Sequence, residues 1–169
     1  MLTTVAALVI ILGLMVSLAR YERGRSAEDL MRDVLSRLDT LLANHDVVEN
    51  RPLQDALAAV PPLVRSQGRE PEEQVLLFNA RRNNEEFVKA FKKHFGPKPF
   101  DIPLTLYNPT KNTLVDVWGT PIVYMPPDAF NVGIRPQHRT FFLSAGPDRK
   151  FSTVDDNLYS YNRPAGQRE

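Results

Sequence analysis

From Ser26 onward the apolar residues fall at Leu30, Met31, Val34, Leu35, Leu38, Leu41 and Leu42, with Arg32, Asp33, Arg37 and Asp39 between them. That is the i, i+3, i+4, i+7 spacing of one helical face, and it predicts an amphipathic helix ending near Asn44-His45. A short helix is expected over Pro52 to Leu57, with proline in its first turn and Pro61-Pro62 as its stop. A second long helical pattern runs from about Pro71, with Val75, Leu76, Phe78, Phe87, Val88, Phe91 and Phe95 apolar, to a stop at Gly96-Pro97. Arg81-Arg82 and Lys92-Lys93 read as its solvated face. Beyond Phe100 the pattern turns to short β-type runs: Leu104 to Tyr107, Thr113 to Val115, Ile122 to Met125 and Thr140 to Leu143. The turn-rich Asn108 to Asn112 connects the first two, and strands so closely spaced are expected to pair antiparallel.

Ahead of the amphipathic helix the pattern is of another kind. Leu2 to Ala19 carries no charge. At ~1.5 Å per residue this run makes about 27 Å of helix, against ~30 Å of bilayer hydrocarbon. Nothing basic precedes it, and the apolar core, longer than that of a cleaved signal, runs into Ser17-Leu18-Ala19-Arg20, so an uncleaved membrane anchor is expected rather than a signal peptide. Only Gly24 weakens the junction with the next helix. The expected organisation is an anchor and junction over residues 1–25, in contact with membrane lipid, and a soluble domain over 26–169. The fold class expected is α+β, one long helix whose second half packs on a small antiparallel sheet.

Composition narrows the function. The chain has 169 residues, 43% hydrophobic and 24% charged, room for one modest domain. A net charge of +1 gives no reason to expect nucleic acid as a partner. Without cysteine there are no disulfides, thiolate metal sites or thiol nucleophiles. His45, His94 and His138 stand apart, Ser144 lacks the first glycine of a nucleophile elbow, and no glycine loop is built to cradle phosphate. The chain does not read as an enzyme.

The chemistry that stands out is acidic. Between Phe141 and Tyr161 a strand-like run enters a turn at Ser144-Ala145-Gly146-Pro147, and one short loop carries Asp148, Asp155 and Asp156. Like charges held close need compensation, and oxygen-only ligands suit calcium better than zinc. Arg149 and Lys150 offer the other solution, a surface turn neutralised by its own salt bridges.

Asp116-Val117-Trp118-Gly119-Thr120-Pro121-Ile122-Val123-Tyr124, followed by Ser144-Ala145-Gly146-Pro147-Asp148 and the acidic loop, resembles the major pseudopilin of the type II secretion system. That family reads Asp-x-Trp-Gly-x-Pro-x-x-Tyr ahead of a Ser-x-Gly-x-Asp turn and an Asp-rich calcium loop. The resemblance covers roughly the last third of the chain, and the N-terminal apolar segment matches in character. It implies a pilin-like fold and calcium held by the side chains of Asp148, Asp155 and Asp156 with carbonyls near Ala145 and Thr153. It further implies a structural role in a secretion pseudopilus, with copies of the chain, other pseudopilins and inner-membrane assembly proteins as partners. Trp118 is expected to be a large core anchor.

The resemblance also implies a basic leader ending in Gly, then Phe-Thr-Leu-Ile-Glu. The chain instead opens Met-Leu-Thr-Thr-Val, with Val5 near the place of that Glu, so the expectation is either a start lying upstream or a divergent, unprocessed member. The helix from Pro71 to Phe95 exceeds the family's middle region. Arg20, Arg23 and Arg25 after the anchor favour a cytoplasmic soluble domain by the positive-inside rule, whereas the resemblance requires a periplasmic one. The two C-terminal motifs weigh more, and the expected location is the inner membrane, single-pass, with the soluble domain in the periplasm. The alternative function is a membrane-anchored binding or scaffold protein that does not polymerise.

Overall fold

The computed structural model describes residues 26–44, 51–63, 72–96, 100, 102–127 and 140–161. The expected anchor over residues 1–25 lies outside them. No helix among the described residues is long and apolar enough to cross a membrane.

Residues 26–44 are helical (α1), followed by α2 at Arg51–Ala58 and α3 at Glu72–Phe95. In α1 the predicted face is the buried one, with Met31, Val34, Leu35, Leu38 and Leu42 nearly inaccessible. Leu30 departs from it, 46% exposed. It lies next to Met31, 100° round the helix, and is carried off the face. The same geometry corrects α3, whose buried stripe is Leu76, Ala80, Asn83, Asn84, Phe87, Val88 and Phe91. Phe78 falls off that stripe and is 67% exposed, and Val75 is only half-buried. Gly96, with φ of 84°, ends α3 and returns its N–H to the Lys92 carbonyl. Lys92 is not on the solvated face: its Nζ donates to the Pro109 carbonyl and to Asn112 Oδ1, holding the β1–β2 turn against the helix.

The strands are short. β1 (Tyr107–Asn108) pairs antiparallel with β2 (Thr113–Leu114). The run expected to begin at Leu104 does not: residues 104–106 form a turn on the Pro103 carbonyl, and Leu104 is 74% exposed. β3 (Val123–Met125), β4 (Phe141–Ser144) and β5 (Leu158–Tyr159) make a second antiparallel sheet in the order β3-β4-β5. Every residue of these three strands is buried.

Both faces of the second sheet are covered, which is why its strands read as apolar runs and not as alternating ones. Tyr124, Phe142 and Leu158 join α1, α2 and the C-terminal half of α3 in one core, where Phe87 stacks on Tyr124 at 5.2 Å between ring centres and meets Phe142 edge-on at 5.3 Å. Val123, Met125, Phe141, Leu143 and Tyr159 face the other way, into a second core with Leu63, Leu76, Ala80, Ala145 and Phe151. The architecture is α+β, helices packed on small antiparallel sheets. Trp118 is a correction: it is half-buried at the margin of the first core, carried there by a turn and not by a strand.

Candidate functional site

The two stretches that carry the pseudopilin resemblance meet in space. Val115 and Pro121 pair across a tight turn in which Asp116 N–H donates to the Thr120 carbonyl and Gly119 N–H to the Asp116 carbonyl. Gly119 takes φ of 87°, a left-handed angle that glycine adopts without strain. The Asp116 carboxylate, 1% exposed, fills the turn. Its Oδ1 accepts from the N–H of Trp118 at 3.0 Å and of Thr120 at 2.8 Å. Its Oδ2 accepts from the Thr120 hydroxyl and, at 2.7 Å, from the hydroxyl of Ser144 at the end of β4. Ser144 Oγ in turn accepts the Gly146 N–H at 3.1 Å, so the first motif holds the start of the acidic loop.

That loop is a chain of turns. Arg149 N–H donates to the Gly146 carbonyl, Thr153 N–H to that of Lys150, and Asp156 N–H to that of Thr153. Its limbs close on each other at Gly146. A Cβ placed there would lie 1.9 Å from the Asp156 carbonyl oxygen, and φ is +72°. Only glycine permits that approach. Phe151, fully buried in the second core, pins the loop's middle. Its backbone is held at both ends, the N–H by Glu73 Oε1 at 3.0 Å and the carbonyl by Asn157 Nδ2 at 3.1 Å.

Of the residues expected to hold calcium, Ala145 is buried at the mouth of the loop, Asp148 and Thr153 are half-buried, and Asp155 and Asp156 are exposed. Asp148 Oδ1 accepts the Lys150 N–H at 2.9 Å. Among the described residues no group of three His, Cys, Asp or Glu side chains is gathered in a way that could hold a metal ion. Arg149 and Lys150 are exposed.

One buried atom bears directly on whether these residues fit a cation. Asn157 is 5% exposed, its Nδ2 is committed to Phe151, and its Oδ1 has no hydrogen-bond partner among the described residues. An orphaned buried amide oxygen costs about 1–3 kcal/mol, and a hard cation is one species that would satisfy it. Calcium takes 6–8 oxygens from carboxylates, amides and backbone carbonyls alike, so the donor set of this loop is of the right chemical kind. The residues that would hold it are Asp148, Asp155 and Asp156 with carbonyls near Ala145 and Thr153, joined by Asn157. Bound there, the cation would neutralise the loop and tie its two limbs together.

Sequence reasoning named the loop and the Asp116 motif but missed Glu73, which lies 78 positions from Phe151. No spacing rule reaches that far. It also missed Asn83 and Asn84, polar residues on a buried helical stripe. No family model, curated protein or solved structure matches this chain.

Proposed function

We propose that this chain is a divergent pseudopilin, a structural subunit of a type II secretion pseudopilus. In this reading it is anchored in the inner membrane through residues 1–25, presents its soluble domain to the periplasm, and associates with copies of itself through the apolar helix. The observation that carries the reading is the bond from Ser144 to Asp116. It makes one unit of the two stretches on which the resemblance rests, with the acidic loop closed against that unit. The amphipathic α1, laid with the C-terminal half of α3 on one face of the β3-β4-β5 sheet, supports the pilin-like arrangement. In this role nothing is turned over. The acidic loop, with calcium bound, would rigidify the end of the domain, and the chain's own part is to hold that loop shut through Asp116, Gly146 and Phe151.

The test has two arms. The full chain should fractionate with membranes and self-associate in detergent, and both properties should disappear when residues 1–25 are removed. Leu12→Arg should impair insertion at a cost of about 3 kcal/mol. Melting of the full chain should rise with millimolar calcium and fall with chelator. At a hundredfold excess over the dissociation constant the gain should be about 2.7 kcal/mol. Membrane association without self-association would favour the anchored binding or scaffold protein. Melting indifferent to calcium and chelator would remove the metal and the strongest support for the pseudopilin reading.

A further inference from the structure

The acidic loop is gripped from outside by a single carboxylate. Glu73, in the first turn of α3, accepts the N–H of Phe151 at 3.0 Å through Oε1. Its Oε2 accepts the N–H of Ser152 at 3.1 Å and the Ser152 hydroxyl at 2.7 Å. These bonds span 78 and 79 residues of chain, so they fasten the helix to the middle of the loop, away from the limbs that meet at Gly146. The grip is passed on. The peptide group between Phe151 and Ser152, whose N–H donates to Glu73 Oε2, accepts the Nδ2 of Asn157 on its carbonyl, and the other end of that amide is the orphaned Asn157 Oδ1.

We propose that Glu73 is a positioning residue that sets the affinity of this loop for a divalent cation, calcium by the chemistry of its oxygens, without being a ligand itself. This rests on the calcium reading above. Three donors already occupy the carboxylate, and a carboxylate so used is a poor candidate for a direct ligand. Its effect is preorganisation: residues 151–152 are fixed during folding, so binding a cation does not have to order them. Residues that orient metal ligands in this way typically change affinity by about 10–100-fold when removed.

The competing explanation is that Glu73 contributes only one more negative charge near the loop. Glu72→Gln separates the two, because it removes the same charge one position away while leaving the grip intact. Calcium chloride is titrated calorimetrically into the full chain in mild detergent, for the wild type and for Glu73→Gln, Glu73→Ala, Glu72→Gln and Ser152→Ala. Circular dichroism in chelator checks that each is folded. Both Glu73 variants should bind calcium roughly 10–100-fold more weakly, with Glu72→Gln changed by less than about twofold. Ser152→Ala, which deletes one of the three bonds, should fall between them. Glu73 variants that bind as wild type, or that lose no more than Glu72→Gln does, overturn the inference and leave the calcium reading standing. A wild type that takes up no calcium at millimolar concentration overturns both. Should the Glu73 variants fail to fold, Ser152→Ala decides, and wild-type affinity in that variant counts against the proposal.

Discussion

Ser144 donates its hydroxyl to Asp116 Oδ2 at 2.7 Å across 28 residues of chain, and the same hydroxyl oxygen receives the Gly146 N–H. The buried Asp116 carboxylate thus accepts from four donors, none of them a cation among the described residues. Asp116→Ala strands the N–H groups of Trp118 and Thr120 and both hydroxyls. It should destabilise the domain by about 3 kcal/mol or more, measured by urea unfolding. Ser144→Ala should cost about 1–2 kcal/mol. The two losses should combine less than additively, because the second removes a bond the first has already broken.

Asn83 and Asn84 act on the strands as a peptide edge does. Asn83 accepts the N–H of Tyr124 and donates to its carbonyl and to that of Pro61. Asn84 accepts the N–H of Leu114 and donates to the carbonyls of Leu114 and Ile122. Asn84→Leu, of similar volume, leaves those backbone groups unpaired and should cost roughly 2–4 kcal/mol in chemical denaturation. Amide exchange at Leu114 should accelerate in Asn84→Leu and at Tyr124 in Asn83→Leu, each change confined to its own strand.

At Gly146 a methyl group meets the Asp156 carbonyl 1.9 Å away on a backbone at φ +72°, whereas at Gly119, with φ +87°, it meets nothing within 4 Å. Gly146→Ala should therefore cost about 3 kcal/mol, from strain and displacement together, and should remove any gain in melting temperature from calcium. Gly119→Ala should cost about 1 kcal/mol and preserve that gain.

Trp118, half-buried at the edge of the first core, should matter less than an enclosed indole. Trp118→Ala is expected to destabilise by about 1–2 kcal/mol, below the ~3–5 kcal/mol of a fully buried aromatic. Its emission maximum should lie between those of buried and fully hydrated tryptophan. A maximum at the position of free tryptophan in water would contradict the packing.

What could be read from the chain was set by how local its cause is. The period of Met31, Val34, Leu35, Leu38 and Leu42 is a property of one helix, and it placed α1 correctly. Gly96 stops α3 through its own left-handed angle. The apolar runs Val123 to Met125 and Phe141 to Leu143 gave strands because both their faces are covered. Leu104 misled because an exposed turn leucine has the composition of a strand, and Phe78 because an apolar residue off the stripe looks like one on it. Asn83 and Asn84 are core residues whose justification lies on strands 30 and 41 positions away. Of the candidate site, the acidic residues were visible in the sequence. The grip of Glu73 and the stranded oxygen of Asn157 depend on tertiary contact and were not.

The pairing of Asn83 with Tyr124 also governs what this domain cannot do to its neighbours. β3 is an outer strand of its sheet, and an outer strand with open backbone groups is a template on which another chain can add its own. Here the N–H and carbonyl of Tyr124, the central residue of a strand of three, are already taken by a side chain of the same molecule. Another chain brought against that rim would thus find it closed to strand addition. At that rim it could meet the domain through side chains alone, a kind of contact that can be made and unmade without either fold being opened.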